Sequence, residues 1–288
     1  MNAELEKGSM LNQRYEITRL MGRGNFGVVY EARCLPVTAG AHDPQPPTMP
    51  AQVAIKQMPE QSIMDCERQA DVRELLRHPA IPRIYDYFAD GGCAYLVSEL
   101  ITGWDLETVL ERQKGFLPEK VVRDWAIQLC SFLDYLHTHP YYPMIFRDLK
   151  PSNLMVDRAG HIHAVDFGLV RIFPPGFLQQ PQPPFEYLWK GLAFGTEGYS
   201  APEQYEGFAR PQSDIYALGA TLHYLLTRRD PGKNPPFSFD KHPVHSLNPS
   251  VSPALEEIVM RAVDLDITQR YETAIEMQAA LSALLALA

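Results

Sequence analysis

A change of hydrophobic period near residue 103 limits what this chain can fold into more than any other feature. Ahead of it, apolar residues tend to fall at every second position, as strands with one buried face require. "RYEITRLMGRGNFGVVY" (14–30) alternates on either side of a glycine cluster, the pattern of strand, glycine-rich turn and strand. "QVAIKQM" (52–58) reads as a further strand, and "RIYDYFADGGCAYLVSEL" (83–100) as a second hairpin that turns at Asp90-Gly91-Gly92. One helix interrupts the strands: "MDCERQADVRELLRHP" (64–79) is spaced helically through Cys66, Ala70 and the Val72 to Leu76 cluster and ends at Pro79. The proline-rich "LPVTAGAHDPQPPTMP" carries no regular element.

Beyond Gly103 the period becomes that of a helix. "LPEKVVRDWAIQLCSFLDYLH" places Val121, Val122, Trp125, Leu129, Phe132, Leu133 and Leu136 on one face. "SDIYALGATLHYLLT" is apolar nearly all round, so it predicts a buried helix, with Ser213 as its N-cap. "SPALEEIVMRAV" and "TAIEMQAALSALL" predict two more, while "PPGFLQQPQPP" and "DPGKNPPFSFDKHP" read as loops. A strand-rich part over 13–98, a short linker over 99–103 and a helix-rich part over 104–288 make an α+β chain of two lobes.

Charge and cysteine usage remove several classes of function. A net charge of −9 argues against nucleic acid or an anionic membrane as the main partner. Cys34, Cys66, Cys93 and Cys130 are scattered, with no C-x-x-C pair and no secretory signal, which suits a reduced cytoplasmic setting. No apolar run approaches the ~20 residues that a membrane span needs. The apolar tail "AALSALLALA" is ten residues and reads as a helix end.

Three clusters carry chemistry. Gly22, Gly24 and Gly27 stand in a G-x-G-x-x-G-x-V frame that lets backbone N–H groups approach a phosphate, although a plain hairpin turn reads the same way. A dinucleotide-binding reading needs a helix directly after the glycines, yet "VVYEARC" continues as strand. Lys56 follows Val53, Ala54 and Ile55 on the next strand. In "IFRDLKPSN" and "VDFG", Asp148 can accept a proton, Lys150 can hold a phosphoryl oxygen, and Asn153 and Asp166 offer oxygens suited to Mg2+. With "APE" (201–203), "SDIYALG" (213–219) and Arg270 in "DITQRY", these motifs follow one another in the order of the protein kinases. Over residues 13–288 the chain resembles the catalytic domain of the eukaryotic-like (Hanks-type) serine/threonine kinases of bacteria.

That resemblance implies a bilobal kinase fold, ATP and Mg2+ as cofactors, and a protein serine or threonine as substrate. It implies that Lys56 meets the α- and β-phosphates, that Asn153 and Asp166 hold metal, and that Asp148 deprotonates the substrate hydroxyl beside Lys150. Lys150 and Thr196 mark serine/threonine specificity. Ser98 takes the gatekeeper position, and the Glu99 carbonyl and Ile101 N–H reach the adenine. Val29 and Ala54 cover that base from above and Met155 from below, with Asp105 at the ribose. Asp214 is expected to bond the catalytic-loop backbone, Arg270 to pair with Glu203, and Phe146 to pack on Phe167.

One helix departs from the family pattern. The glutamate that pairs with the strand lysine falls at Gln69, and Arg73 stands where an apolar residue is usual. Glu67 is two positions from Gln69, roughly 200° round a helix. Either Gln69 bonds Lys56 as a neutral substitute, or the helix is held in an unusual pose, or the chain is a pseudokinase that binds ATP and signals by conformation. A kinase-like fold that transfers another part of ATP is a further reading, and the helix around Gln69 is where a regulatory partner would dock.

From Phe167 to Phe194 there is no serine or threonine, and Tyr187 is the sole hydroxyl. The segment from Asp166 to Glu203 spans 38 residues, with five prolines between 174 and 184. Packing of Phe177, Phe185, Tyr187 and Trp189 and a permanent charge at Glu186 for Arg147 are the expected substitutes for a phosphate. Phosphatase-treated and untreated protein are therefore expected to turn over equally. A large loss on dephosphorylation, mapped to Tyr187 or Thr196, would overturn this.

Overall fold

The computed structural model describes residues 4–24, 27–35, 49–59, 76–175, 178 and 195–286, which fall into two units, 1–102 and 103–288. The helix expected around Cys66, Glu67, Gln69, Ala70, Val72 and Arg73 lies outside the described residues. So do Phe177, Phe185, Glu186, Tyr187 and Trp189.

The first unit is an antiparallel sheet of β1 (Met10–Leu11), β2 (Tyr15–Gly24), β3 (Gly27–Cys34), β4 (Gln52–Pro59), β5 (Ile84–Asp90) and β6 (Cys93–Glu99), in the order β1-β2-β3-β4-β6-β5. Alternation sends Tyr30, Ala32, Val53, Ile55, Tyr95 and Val97 to one face, where they join Tyr15 and Ile17 in a closed core. Gln57 is buried on that same face and satisfied there. Its amide donates to Cys93 Sγ at 3.2 Å and its oxygen accepts from the Tyr30 hydroxyl at 3.2 Å. Gly91 and Gly92 both have positive φ, 55° and 76°, at the β5–β6 turn, which two-residue hairpin turns of the primed type demand.

In the second unit the helix Pro211–Thr227 is buried along its whole length from Ser213 onward, as its uniformly apolar sequence requires. It packs against the helices Glu119–His137 and Pro253–Ala262. A Cβ on Gly219 would fall 2.7 Å from the Ala262 Cβ, so glycine here sets how closely those two helices approach. Val121, expected on the buried face of Glu119–His137, is half-buried, while Cys130 and Arg123 are buried. The last helix is Ala274–Ala283, followed by one 3-10 turn, Leu284–Ala286. Among the described residues, no helix is long and apolar enough to cross a membrane.

Ser213 is not an N-cap. Proline has no N–H and its fixed φ suits a first turn, so the helix starts at Pro211 with Arg210 as its N-cap, three residues earlier than a Ser213 cap would set. Ser213 becomes the third helical residue, its hydroxyl accepting from the Arg210 N–H at 2.9 Å and donating to Glu203 Oε1 at 2.6 Å. The tract from Asp230 to Pro243, expected as plain loop, folds two single 3-10 turns, Pro231–Lys233 and Phe239–Lys241.

Arg270 donates to both Glu203 oxygens, at 2.8 and 3.1 Å, and to the carbonyls of Gln212, Asp264 and Leu265. It is 2% exposed. Removing one member strands a buried charge. Arg270→Ala is expected to lower unfolding stability by about 3–5 kcal/mol, read as a shift in denaturant midpoint. A change below about 1 kcal/mol would mean that the pair behaves as a surface bridge.

Candidate active site

Within the first unit, strand register brings the candidate residues together. Gly22 pairs with Val29, Val29 with Lys56 and Lys56 with Leu96, one row across four strands. Two residues along runs the row Glu31, Ala54, Ser98 and Ile84. Side chains two apart share a face, so Val29, Ala54, Lys56 and Ser98 stand together, opposite the core face of Tyr30, Ile55 and Val97.

Gly24 pairs with Gly27 at the end of the glycine hairpin. Gly27 has φ +142°, and a Cβ there would overlap the Gln57 carbonyl oxygen, so only glycine permits this approach of β3 to β4. At Gly22 the reverse holds: among the described residues a Cβ would meet nothing within 4 Å. Glu99 donates its N–H to the Arg83 carbonyl at 2.8 Å and takes the Arg83 N–H on its carboxylate at 3.1 Å. Ile101 is buried.

The second unit gathers the rest. Strands β7 (Gly103–Asp105), β8 (Leu154–Asp157) and β9 (Ile162–Ala164) form a small sheet in which Asp105 pairs with Met155. Asp105 caps the helix Leu106–Arg112: one carboxylate oxygen accepts from the Thr108 N–H at 2.8 Å, the other from its hydroxyl at 2.7 Å. Arg147 precedes Asp148 in the left-handed region, φ +71°, which a side chain adopts only when its surroundings hold it there. The holding groups are visible. Asp214, wholly buried, accepts from the N–H groups of Phe146 and Arg147 at 2.8 Å each, and from the His137 ring at 2.8 Å. The Gln204 amide donates to the Arg147 carbonyl at 2.8 Å. Phe146 meets Phe167 edge to face at 5.3 Å and Phe132 at 5.4 Å, in the packing role that the sequence implied.

The Asp148 carboxylate is 6% exposed and surrounded by donors. The Thr196 hydroxyl donates to Oδ1 at 2.6 Å, Asn153 Nδ2 donates to Oδ2 at 2.7 Å, and Lys150 Nζ lies 3.2 Å from Oδ2. Lys150 also donates to the Thr196 oxygen at 2.6 Å. Asn153 ends a proline-led 3-10 turn, Pro151–Asn153, and spends its amide N–H groups on the Asp148 side chain and carbonyl. Its side-chain oxygen accepts no hydrogen bond from a described residue. Asp166 Oδ1 accepts from the Gly168 N–H at 3.0 Å. One amide oxygen and one carboxylate form a hard, all-oxygen donor pair, which fits Mg2+ because that ion keeps several waters and shares the phosphates' oxygens. Sequence reasoning missed His137 and Gln204. A histidine in the last turn of an apolar helix and a glutamine after "APE" give no local signal of their buried partners.

The model of the protein kinase domain family matches residues 15–285. Serine/threonine-protein kinase C of Synechocystis is 32% identical over 93% of this chain and 49% of its own length. A probable serine/threonine-protein kinase of Streptomyces coelicolor is 29% identical over 98% and 41%. PrkC of Bacillus subtilis, a serine/threonine-protein kinase, is 29% identical over 94% and 40%. This chain thus spans less than half the length of these curated relatives. The crystal structure of the PknI kinase domain of Mycobacterium tuberculosis superposes with a TM-score of 0.69 over 97% of this chain and 99% of that one, at 20% identity.

Asp214→Ala leaves two buried backbone N–H groups without an acceptor and frees Arg147 from its strained conformation. A loss of about 3–5 kcal/mol is expected in denaturant unfolding. Phe146→Leu, which keeps an apolar filler, is expected to lose about 1–2 kcal/mol. The reverse ranking would show that ring packing, not the carboxylate, fixes the loop.

Proposed function

The chain belongs to the protein kinase domain family, and from that premise we propose that it transfers the γ-phosphoryl group of ATP to a serine or threonine hydroxyl of a protein. The observation that carries this reading is the surroundings of Asp148. Its Oδ1 already accepts an alcohol proton, that of Thr196, at 2.6 Å, which is the contact a substrate hydroxyl needs with a base. In the proposed step the substrate oxygen bonds to the γ-phosphorus as the bond to the β-phosphate oxygen breaks. The proton goes to Asp148 and ADP leaves. Lys150, in reach of both Asp148 and Thr196, supplies the charge for the transferred group.

Asn153 and Asp166 would hold Mg2+, which neutralises phosphate charge when bound. Lys56 takes the α- and β-phosphates. No described residue fills the space at Gly22, as suits a backbone that a phosphate must approach. Val29 and Ala54, on the Lys56 face, cover the adenine, Ser98 stands behind it, and the linker from Glu99 to Ile101 supplies its hydrogen bonds. Asp105 keeps lone pairs for a ribose hydroxyl beyond its two bonds to Thr108. The pseudokinase alternative rested on Gln69, and no described residue favours it. Bacterial relatives named as kinases favour transfer.

Incubation with Mg2+ and γ-labelled ATP tests the proposal. Asp148→Asn is expected to lower transfer by about 10²–10⁴-fold, the usual weight of a general base, with nucleotide affinity unchanged. Asp166→Asn is expected to weaken Mg2+-dependent nucleotide binding as well. Absence of label on wild-type protein and on generic protein substrates would sink the reading.

A further inference from the structure

We propose that Asp230 is a positioning residue for the turn Thr196–Ser200, and that through Tyr199 it keeps the Thr196 hydroxyl on Asp148. Its consequence for turnover rests on the kinase reading; the positioning itself rests on contacts within the second unit.

Asp230 follows the helix Pro211–Thr227 and caps the 3-10 turn Pro231–Lys233. Its Oδ1 accepts the Gly232 N–H at 2.9 Å and the Tyr199 hydroxyl at 3.3 Å, and its own carbonyl accepts from Asn234 Nδ2 at 2.7 Å. Lys233 Nζ lies 3.2 Å from Oδ2, but that lysine is 79% exposed. Tyr199 is 8% exposed. Burial first, and the Asp230 charge after it, raise its hydroxyl pKa, so it remains a donor. The backbone is seated at the same place. Gly198 has φ +83°, and a Cβ there would overlap the Pro231 carbonyl. Two successive residues, Gly198 and Tyr199, thus rest on Asp230 and Pro231.

The turn passes this restraint inward. The N–H groups of Tyr199 and Ser200 both donate to the Thr196 carbonyl at 3.1 Å. Thr196 in turn donates to Asp148 and accepts from Lys150 at 2.6 Å each. A continuous line of contacts therefore runs from Asp230 through Tyr199 and Thr196 to the proposed base. Releasing Tyr199 lets the turn open and withdraws the hydroxyl that orients Asp148 and Lys150. A polypeptide hydroxyl must replace or join Thr196 at Asp148, so the loss should appear in kcat and in KM for the protein substrate. Lys56 and the adenine-covering residues lie on other elements, so KM for ATP should not follow.

Two measurements on the full chain decide the matter: amide hydrogen exchange across 195–227, and kinetics with a serine peptide. Asp230→Ala and Tyr199→Phe are each expected to speed exchange at Tyr199 and Ser200 on the order of tenfold, the worth of a hydrogen bond to a charged group, with the helix Pro211–Thr227 still protected. Peptide kcat/KM should fall by about the same factor, KM for ATP should stay within about twofold, and the double variant should be no worse than either single one. Asp230→Asn keeps an acceptor oxygen and should restore both readouts, and Lys233→Ala should change neither. Exchange at Tyr199 and Ser200 unchanged in Asp230→Ala overturns the proposal, whether or not the protein turns over. Exchange that also rises through the helix overturns it too, since Asp230 would then merely hold the fold. An active wild type whose loosened variants keep full peptide kcat/KM overturns the link to Asp148. If the turn loosens as expected but wild type transfers no phosphate, the positioning stands and the kinase reading falls.

Discussion

The carboxylate of Asp214 carries more of the second unit's geometry than any other single group. It is wholly buried, and a buried charge persists only where donors surround it. The donors are the ring of His137, at the end of one helix, and two consecutive backbone N–H groups, those of Phe146 and Arg147. Asp214 also sits in the first turn of its own helix, where the aligned peptide dipoles favour negative charge. Binding both N–H groups bends the chain so that Arg147 takes φ +71°, a conformation worth of order 1–3 kcal/mol of strain. Gln204 and Thr221 hold the carbonyls of Arg147 and Leu149 on either side of Asp148. The strain is therefore locked in, and its result is an Asp148 side chain that cannot turn away from Thr196, Lys150 and Asn153.

In the first unit the same end is reached through alternation alone. Each of the strands β3, β4 and β6 sends one set of side chains into a dry core and the other to the face of Lys56. The core set is bulky: Tyr30, Ile55 and Val97 are all fully buried. The opposite set includes Val29, Ala54 and Ser98, small enough to leave the lysine approachable. A one-residue slip in register would exchange the two sets. The buried Gln57 network resists such a slip, because its bonds to Tyr30 and Cys93 exist in one register only.

What the sequence showed, and what it hid, follows from the range of the forces involved. Hairpins, the long helices of the second unit and the order of the motifs were legible because period and motif order are local signals. The helix start was misplaced by three residues because serine suits both an N-cap and the third helical position, and Pro211 decided between them. The small sheet of β7, β8 and β9 left no alternating pattern, since its strands are three or four residues long. Gly103 shows the consequence: a Cβ there would overlap the Val156 carbonyl, a constraint from a strand about fifty residues away that no local pattern records. The resemblance had already tied Asp214 to the backbone beside Asp148, but its His137 partner and the long-range partners of Gln204 and Asp230 were hidden for the same reason. Each bond joins positions far apart in the chain, and neither end is unusual where it stands.

The end of the segment before "APE" can be understood without a phosphate. The resemblance to the family makes Arg147, ahead of Asp148, the residue expected to engage a phosphorylated hydroxyl, yet residues 167–194 offer only Tyr187. From residue 195 onward, permanent contacts are abundant. Thr196 is held by Lys150 and Asp148, Tyr199 by Asp230, and Glu203 by Arg270 and Ser213. These restraints arise from the catalytic loop, from the loop after the central helix, and from the start of that helix together with the loop before Ala274–Ala283. None depends on a modification that can be removed. A turn fixed from three sides has little conformational entropy left to lose, and a phosphate acting through Arg147 would have correspondingly little to order.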